Sequence, residues 1–256
     1  MMSNALARLR ESEKALDAER RLTNEALARL ATVEKKQVEQ RPMSRLIFGL
    51  DLTNSRDATL KQARIATASM FDAIAAIGRI AVKLLYFRGA SECRENVWYE
   101  DYDALCRSML KLSCKAGATQ LYRLLSKALD EKEKIAGVVY VGDHCEEDAH
   151  YLADLAEKLG KKGVPLYIFH ECGGTDEQFT WAQSIFRRMA EVSGGVYAEF
   201  KPDSGEALKE MLASIAAYAT QGLSGLERLS IPATAPARQL RAGMRLMIGA
   251  GTDQRK

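Results

Sequence analysis

The pentapeptide Asp51-Leu52-Thr53-Asn54-Ser55 follows directly on the apolar run Leu46-Ile47-Phe48-Gly49-Leu50 and sets a carboxylate and two hydroxyls at alternate positions. In extended or gently curving backbone, alternate side chains project to one side, so Asp51, Thr53 and Ser55 can converge on a single point. Hard oxygen donors of this kind suit Mg2+, which takes a few protein ligands and keeps several waters. Each hydroxyl also has a plainer role open to it, because Ser and Thr after a strand often close a turn or cap the next helix. A second group of candidates ends two later apolar runs, as Asp143-His144-Cys145 and His170-Glu171-Cys172. Two His and two Cys meeting at one sheet edge have the composition of a tetrahedral Zn2+ site. Their spacing matches no established zinc motif, and free Cys is commonly a small buried hydrophobe.

The elements that must position these residues are legible from periodicity. Apolar runs at 46–50, 82–87, 137–141, 164–169 and 195–200 read as strands, with a short edge strand ending near Trp98. They lack strict alternation, which means strands covered on both faces, as in a parallel sheet between helical layers. Between them the spacing predicts a helix carrying the stripe Leu60, Ala63, Thr67, Met70, Ile74 and Ile77, then helices over about 101–112, 118–131, 146–160, 176–192 and 204–220. The expected fold is therefore α/β, a three-layer sandwich around a mostly parallel sheet. In such sheets ligands bind beyond the carboxyl ends of the strands, where the candidate residues lie.

The flanks differ in composition from this core. Residues 3–40 contain no Pro or Gly and are rich in strong helix formers, so one long N-terminal helix is expected. It would extend ~55 Å, longer than a single domain is wide. The string ALARL recurs at 5–9 and 26–30 and brings Leu9, Leu16 and Leu30 into one heptad register, which Thr23 and Gln37 interrupt. Arg41-Pro42 closes this arm. The organisation read from the chain is an arm over 1–42, a domain over 45–221 and a tail over 222–256 that is either a docking segment or disordered.

Composition narrows the function. The net charge is +3, with nine basic and seven acidic residues in 1–44 and six against two in 222–256, leaving a slightly acidic middle. That is not the concentrated basic face of a nucleic-acid binder. Five Cys without a CxxC pair point to a reducing compartment, and no apolar stretch is long enough to span a membrane, so a cytoplasmic protein is expected. No GxxxxGK[ST] loop, GxGxxG or GxSxG elbow occurs. Thr53 stands where phosphatases with an Asp-x-Asp motif need their second carboxylate, so no enzymatic activity is expected.

Over about residues 45–221 the chain resembles the von Willebrand factor A domains. These carry a metal-ion-dependent adhesion site built from Asp-x-Ser/Thr-x-Ser after the first strand, a Thr in a Gly-containing loop, and an Asp closing the fourth strand. Here Asp51, Thr53 and Ser55 match the first motif, Lys115-Ala116-Gly117-Ala118-Thr119 resembles the threonine loop, and Val138-Val139-Tyr140-Val141-Gly142-Asp143 resembles the closing strand. Two positions depart from the pattern: Gly142 replaces the usual Thr before the Asp, and His144 the usual Gly after it. Read singly, Thr119 could equally be a structural helix-start residue, and Asp143 with Glu146 and Glu147 could place negative charge at a helix start. The resemblance implies a Rossmann-like fold and a cation held by Asp51, Thr53, Ser55, Thr119 and Asp143, with Mn2+ or Ca2+ as alternatives to Mg2+. It implies, too, a protein partner that offers an Asp or Glu to the metal. Bacterial intracellular relatives further suggest an AAA+ ATPase as companion, and the arm suggests self-association, with no role for nucleic acid or membrane. The competing expectation is a scaffold that works through the arm, its metal site vestigial.

Overall fold

The computed structural model describes residues 20–21, 23–33, 36–53, 57–74, 78–172, 177–201, 204–229 and 234–252. It divides the chain into two compact units, Met1–Arg41 and Pro42–Lys256. In the first unit, residues 23–33 and 36–39 are helical and expose Leu27, Leu30 and Val33. Leu9 and Leu16 lie outside the described residues.

The second unit is built on six strands: β1 (Met43–Asp51), β2 (Arg79–Arg88), β3 (Glu92–Tyr99), β4 (Gly137–Gly142), β5 (Leu166–Glu171) and β6 (Tyr197–Phe200). Their order is β3-β2-β1-β4-β5-β6. All neighbouring pairs are parallel except β2 with β3. The helices are α1 (Asp57–Ile74), α2 (Tyr102–Met109), α3 (Leu121–Leu129), α4 (Ala149–Lys161), α5 (Glu177–Val192), α6 (Gly205–Arg228) and α7 (Ala235–Thr252).

Strand alternation splits the core into two apolar layers. Phe48, Leu50, Val139, Val141 and Phe169 face α1, α2, α6 and α7. Ile47, Val138, Tyr140 and Ile168 face α3, α4 and α5. The central strands are thus buried on both sides, which is why their sequences read as unbroken apolar runs. The α1 stripe is buried as its spacing requires, and Thr67 satisfies its hydroxyl within the helix by donating to the Ala63 carbonyl at 2.6 Å. Ile77 lies outside the described residues.

Several boundaries differ from expectation for identifiable reasons. The edge strand β3 runs antiparallel to β2 as a hairpin partner. Helix α3 starts at Leu121 rather than 118, and α4 at Ala149 rather than 146: Glu147 caps α3, and Glu146 bonds Thr119 ahead of it, so neither joins α4. Asp148 caps α4 instead, accepting from the Tyr151 amide. The boundary expected after 221 falls inside α6, at a kink where Gly222 takes φ +61°, a conformation that suits glycine. The tail beyond it is neither separate nor disordered across the described residues. Helix α7 buries Ala237, Leu240 and Met244 in the larger core layer, and Arg241 donates to the Ser214 hydroxyl on α6 at 2.8 Å.

Candidate metal-binding edge of the sheet

Asp51 is the last residue of β1 and is only 2% exposed. Its Oδ1 accepts the Thr53 amide at 2.8 Å, which curls the following loop back on the carboxylate. Backbone bonds then join this loop to its neighbours. The Leu52 amide donates to the Phe87 carbonyl at the end of β2, the Lys115 amide donates to the Leu52 carbonyl at 3.0 Å, and the Gly89 amide donates to the Lys115 carbonyl. The loop carrying Thr119 is therefore stitched to the Asp51 loop through main-chain atoms. Gly117 packs the same segment against the turn after β2, since a Cβ there would sit 2.1 Å from the Gly89 carbonyl oxygen.

An ion cluster fixes the same loop from outside. Glu92 pairs with Arg88 at 2.9 Å and Lys115 at 3.0 Å, and Arg88 also donates to the Ser113 carbonyl. Hydrogen bonds from Arg88 and Lys115 bring the Glu92 carboxyl down to about 2.

Asp143 follows β4. Since β1 and β4 pair with Leu50 opposite Val141, their ends lie side by side. The Asp143 loop also grips the threonine loop: the Thr119 amide and hydroxyl both donate to Glu146 Oε2, at 3.0 and 2.8 Å, and the Glu146 amide returns a bond to Thr119 Oγ1. Glu147 accepts the Leu121 and Tyr122 amides with its two oxygens, at 2.7 and 2.8 Å, supplying the cap that Gln120 does not. The alternative reading from sequence, that Glu146 and Glu147 place charge at the start of the helix that follows them, is not what forms: Glu147 caps α3 and Glu146 holds Thr119.

Bonds thus tie the Asp51 loop to the Lys115 segment, and Thr119 to the Glu146 loop, at one edge of the sheet. Ser55 lies outside the described residues. The Asp143 side chain lies 3.2 Å from His144 Nδ1. Its backbone carbonyl accepts His170 Nε2 at 2.9 Å. His170 is fully buried, stacked on Phe179, with Nδ1 2.8 Å from the Tyr197 hydroxyl. Burial lowers its pKa, and the Asp143 bond opposes that only in part. The Tyr197 hydroxyl reaches Glu199 at 2.9 Å, which Gln183 and Arg187 also hold.

The zinc arrangement is not formed. Both ring nitrogens of His170 are committed, burial raises the Cys145 and Cys172 thiols to about 12, and among the described residues no three His, Cys, Asp or Glu gather into a metal-ligand group. The Thr119 hydroxyl at this edge is itself hydrogen-bonded to Glu146. Asp51, Asp143, Thr53 and Thr119 offer hard oxygens only, and that donor chemistry fits Mg2+.

Comparison with protein-family models finds no match, and neither does comparison with curated proteins. Solved structures do match. An aerotolerance-related membrane protein from Bacteroides fragilis aligns at a TM-score of 0.51 and 16% identity, over 67% of this chain and 98% of that one. A von Willebrand factor type A protein from Catenulispora acidiphila aligns at 0.54 and 17%, over 68% and 43%. Proximal thread matrix protein 1 of the mussel byssus, in a structure with a zinc-occupied adhesion-site motif, aligns at 0.52 and 14%, over 69% and 46%. This chain spans nearly all of the first and less than half of the other two. The fold is that of a von Willebrand factor A domain. Within that fold, the departure at Gly142 has a local cause: a Cβ there would lie 2.3 Å from the Tyr140 phenol oxygen, so the domain has no room for the usual Thr.

Proposed function

We propose that this chain is a protein-binding module that captures an acidic side chain of a partner through a divalent cation, and that it is not an enzyme. The residues that would hold the cation are Asp51, Thr53, Ser55, Thr119 and Asp143, with Mg2+ as the resident ion and Mn2+ or Ca2+ as substitutes. The observation that carries this reading is the bonding of the three loops to one another, by Lys115 to Leu52 and by Thr119 to Glu146. A divalent ion with few anionic protein ligands keeps enough Lewis acidity to give an incoming carboxylate a short, strong contact. The chain's own part is to hold the oxygens: β1 and β4 bring the two carboxylates to one edge, and the Lys115 bond to Leu52 ties the threonine loop to the first.

A protein-interaction role is in keeping with the von Willebrand A fold. Among the described residues no helix is long and apolar enough to cross a membrane. A cytoplasmic setting rests on the five Cys without a CxxC pair, and an AAA+ ATPase companion on the resemblance to bacterial intracellular relatives.

The test is calorimetry of the full chain and of Asp51→Ala with Mg2+ and Mn2+. We expect saturable binding to the wild type and none to the variant; equal binding by both removes the mechanism.

One observation favours a second reading, in which the arm is the working surface. Leu27, Leu30 and Val33 lie exposed at three-residue spacing on one helical stretch, a stripe suited to a partner helix or a second copy. Deleting residues 1–40 separates the two: loss of partner capture with Mg2+ binding intact favours the arm.

A further inference from the structure

A cavity of about 240 Å³ opens at the same sheet edge, lined by His144, Cys145, Glu146, Glu177, Gln178 and Trp181. It is continuous with the candidate metal loop, since His144 adjoins Asp143 and Glu146 holds Thr119. Its walls combine an indole with two carboxylates, and among the described residues no Lys or Arg lines it. Trp181 is 55% exposed, an unusual position for so large an apolar side chain.

Trp181 is not isolated. Tyr122 and Tyr151, in the first turns of α3 and α4, are exposed and in contact, with ring centroids 6.2 Å apart. Three neighbouring helices of one layer thus each carry an exposed aromatic residue near the end that meets the candidate metal edge. Exposed Tyr and Trp are the residue types that anchor protein interfaces. Charge decides what the Trp181 end accepts. An indole face beside carboxylates attracts a guanidinium or ammonium group by cation–π and ionic contact together. Glu177 sits in the first turn of α5 and offsets that helix's positive end, which would otherwise repel a cation.

We infer that this cavity binds an arginine or lysine side chain of the partner. It rests on the adhesion reading in one respect, that the basic residue belongs to the same segment whose carboxylate meets the metal. The recognised sequence then pairs an acidic with a basic residue, and the cavity gives selectivity that a bare metal contact lacks, because any exposed Asp or Glu could reach an open cation.

The experiment is a titration of the full chain with Nα-acetyl-arginine amide, followed by the indole N–H resonances of Trp98 and Trp181, the latter assigned by its loss in Trp181→Phe. Nα-acetyl-citrulline amide, equal in shape but uncharged, is the control. The expected result is saturable movement of the Trp181 resonance with arginine, about fivefold weaker with citrulline. The Trp98 resonance stays in place, and Glu177→Gln weakens the arginine response alone. Equal responses to the two compounds, or a Trp181 resonance that ignores arginine, overturn the inference. The cavity uses side chains only, so the response persists in EDTA and in Asp51→Ala. A wild-type chain that ignores Mg2+ yet responds to arginine removes the adhesion reading and keeps this one.

Discussion

The two halves of the sheet's carboxyl edge solve opposite electrostatic problems. At the β5–β6 end, Glu199 is surrounded by Tyr197, Gln183 and Arg187, and Tyr197 passes the contact to His170. Burial alone would raise the Glu199 carboxyl, but these donors outweigh it and bring its pKa down. Acid and base balance within the protein. At the β1–β4 end, two strand-terminal carboxylates and their neighbouring hydroxyls contribute oxygen and negative charge. The first arrangement is complete in itself and acts as a brace. The second is the edge at which we propose a cation. His170 joins them, because it holds the main chain of Asp143 rather than its carboxylate.

The comparison is broken most severely at the brace. His170→Ala removes a buried ring and the bond it makes to the Asp143 carbonyl, with an expected loss of about 3 kcal/mol in denaturant unfolding. Asp51→Ala, by contrast, is expected to change metal-free stability by less than about 1 kcal/mol while abolishing Mg2+ binding. Equal losses in the two variants would mean that both ends are structural.

Gly117→Ala probes the contact that closes the threonine loop. The added methyl collides with main chain that cannot swing aside, so a loss of about 2 kcal/mol is expected, together with weaker Mg2+ binding. Glu147→Gln sharpens the difference between capping and ligation. It weakens a charged, two-pronged cap by about 1 kcal/mol and should leave Mg2+ affinity within twofold, as thermal melts and calorimetry would show.

The smallest effect is in pH dependence. The Glu92 carboxyl lies at about 2 in the folded chain against an ordinary 4.5. Its stabilisation is therefore fully present above pH 4.5 and is lost as the pH falls toward about 2. Thermal melts across that window should fall less steeply for Glu92→Gln than for the wild type.

The α/β architecture was legible because buried parallel strands must be apolar on both faces, and Phe48-Gly49-Leu50 or Val138-Val139-Tyr140 shows it directly. Asp51 and Asp143 were legible because each follows such a run at once. Glu146 and Glu147 were not, since a carboxylate near a helix start does not say which helix it caps, and here it reaches across to α3. The tail stayed open between docking and disorder for a related reason: Ala237, Leu240 and Met244 are spaced for burial, but the Pro and Gly around them suit either reading. The Trp181 cavity has no linear trace, since its walls come from the β4 loop and α5.

The most direct test is anomalous diffraction from crystals of the full chain grown with Mn2+. The account predicts a single strong manganese peak at the carboxyl edge, within bonding distance of oxygens from the Asp51 loop and either Thr119 or Asp143. No peak there, or one bound elsewhere on the domain, would contradict it.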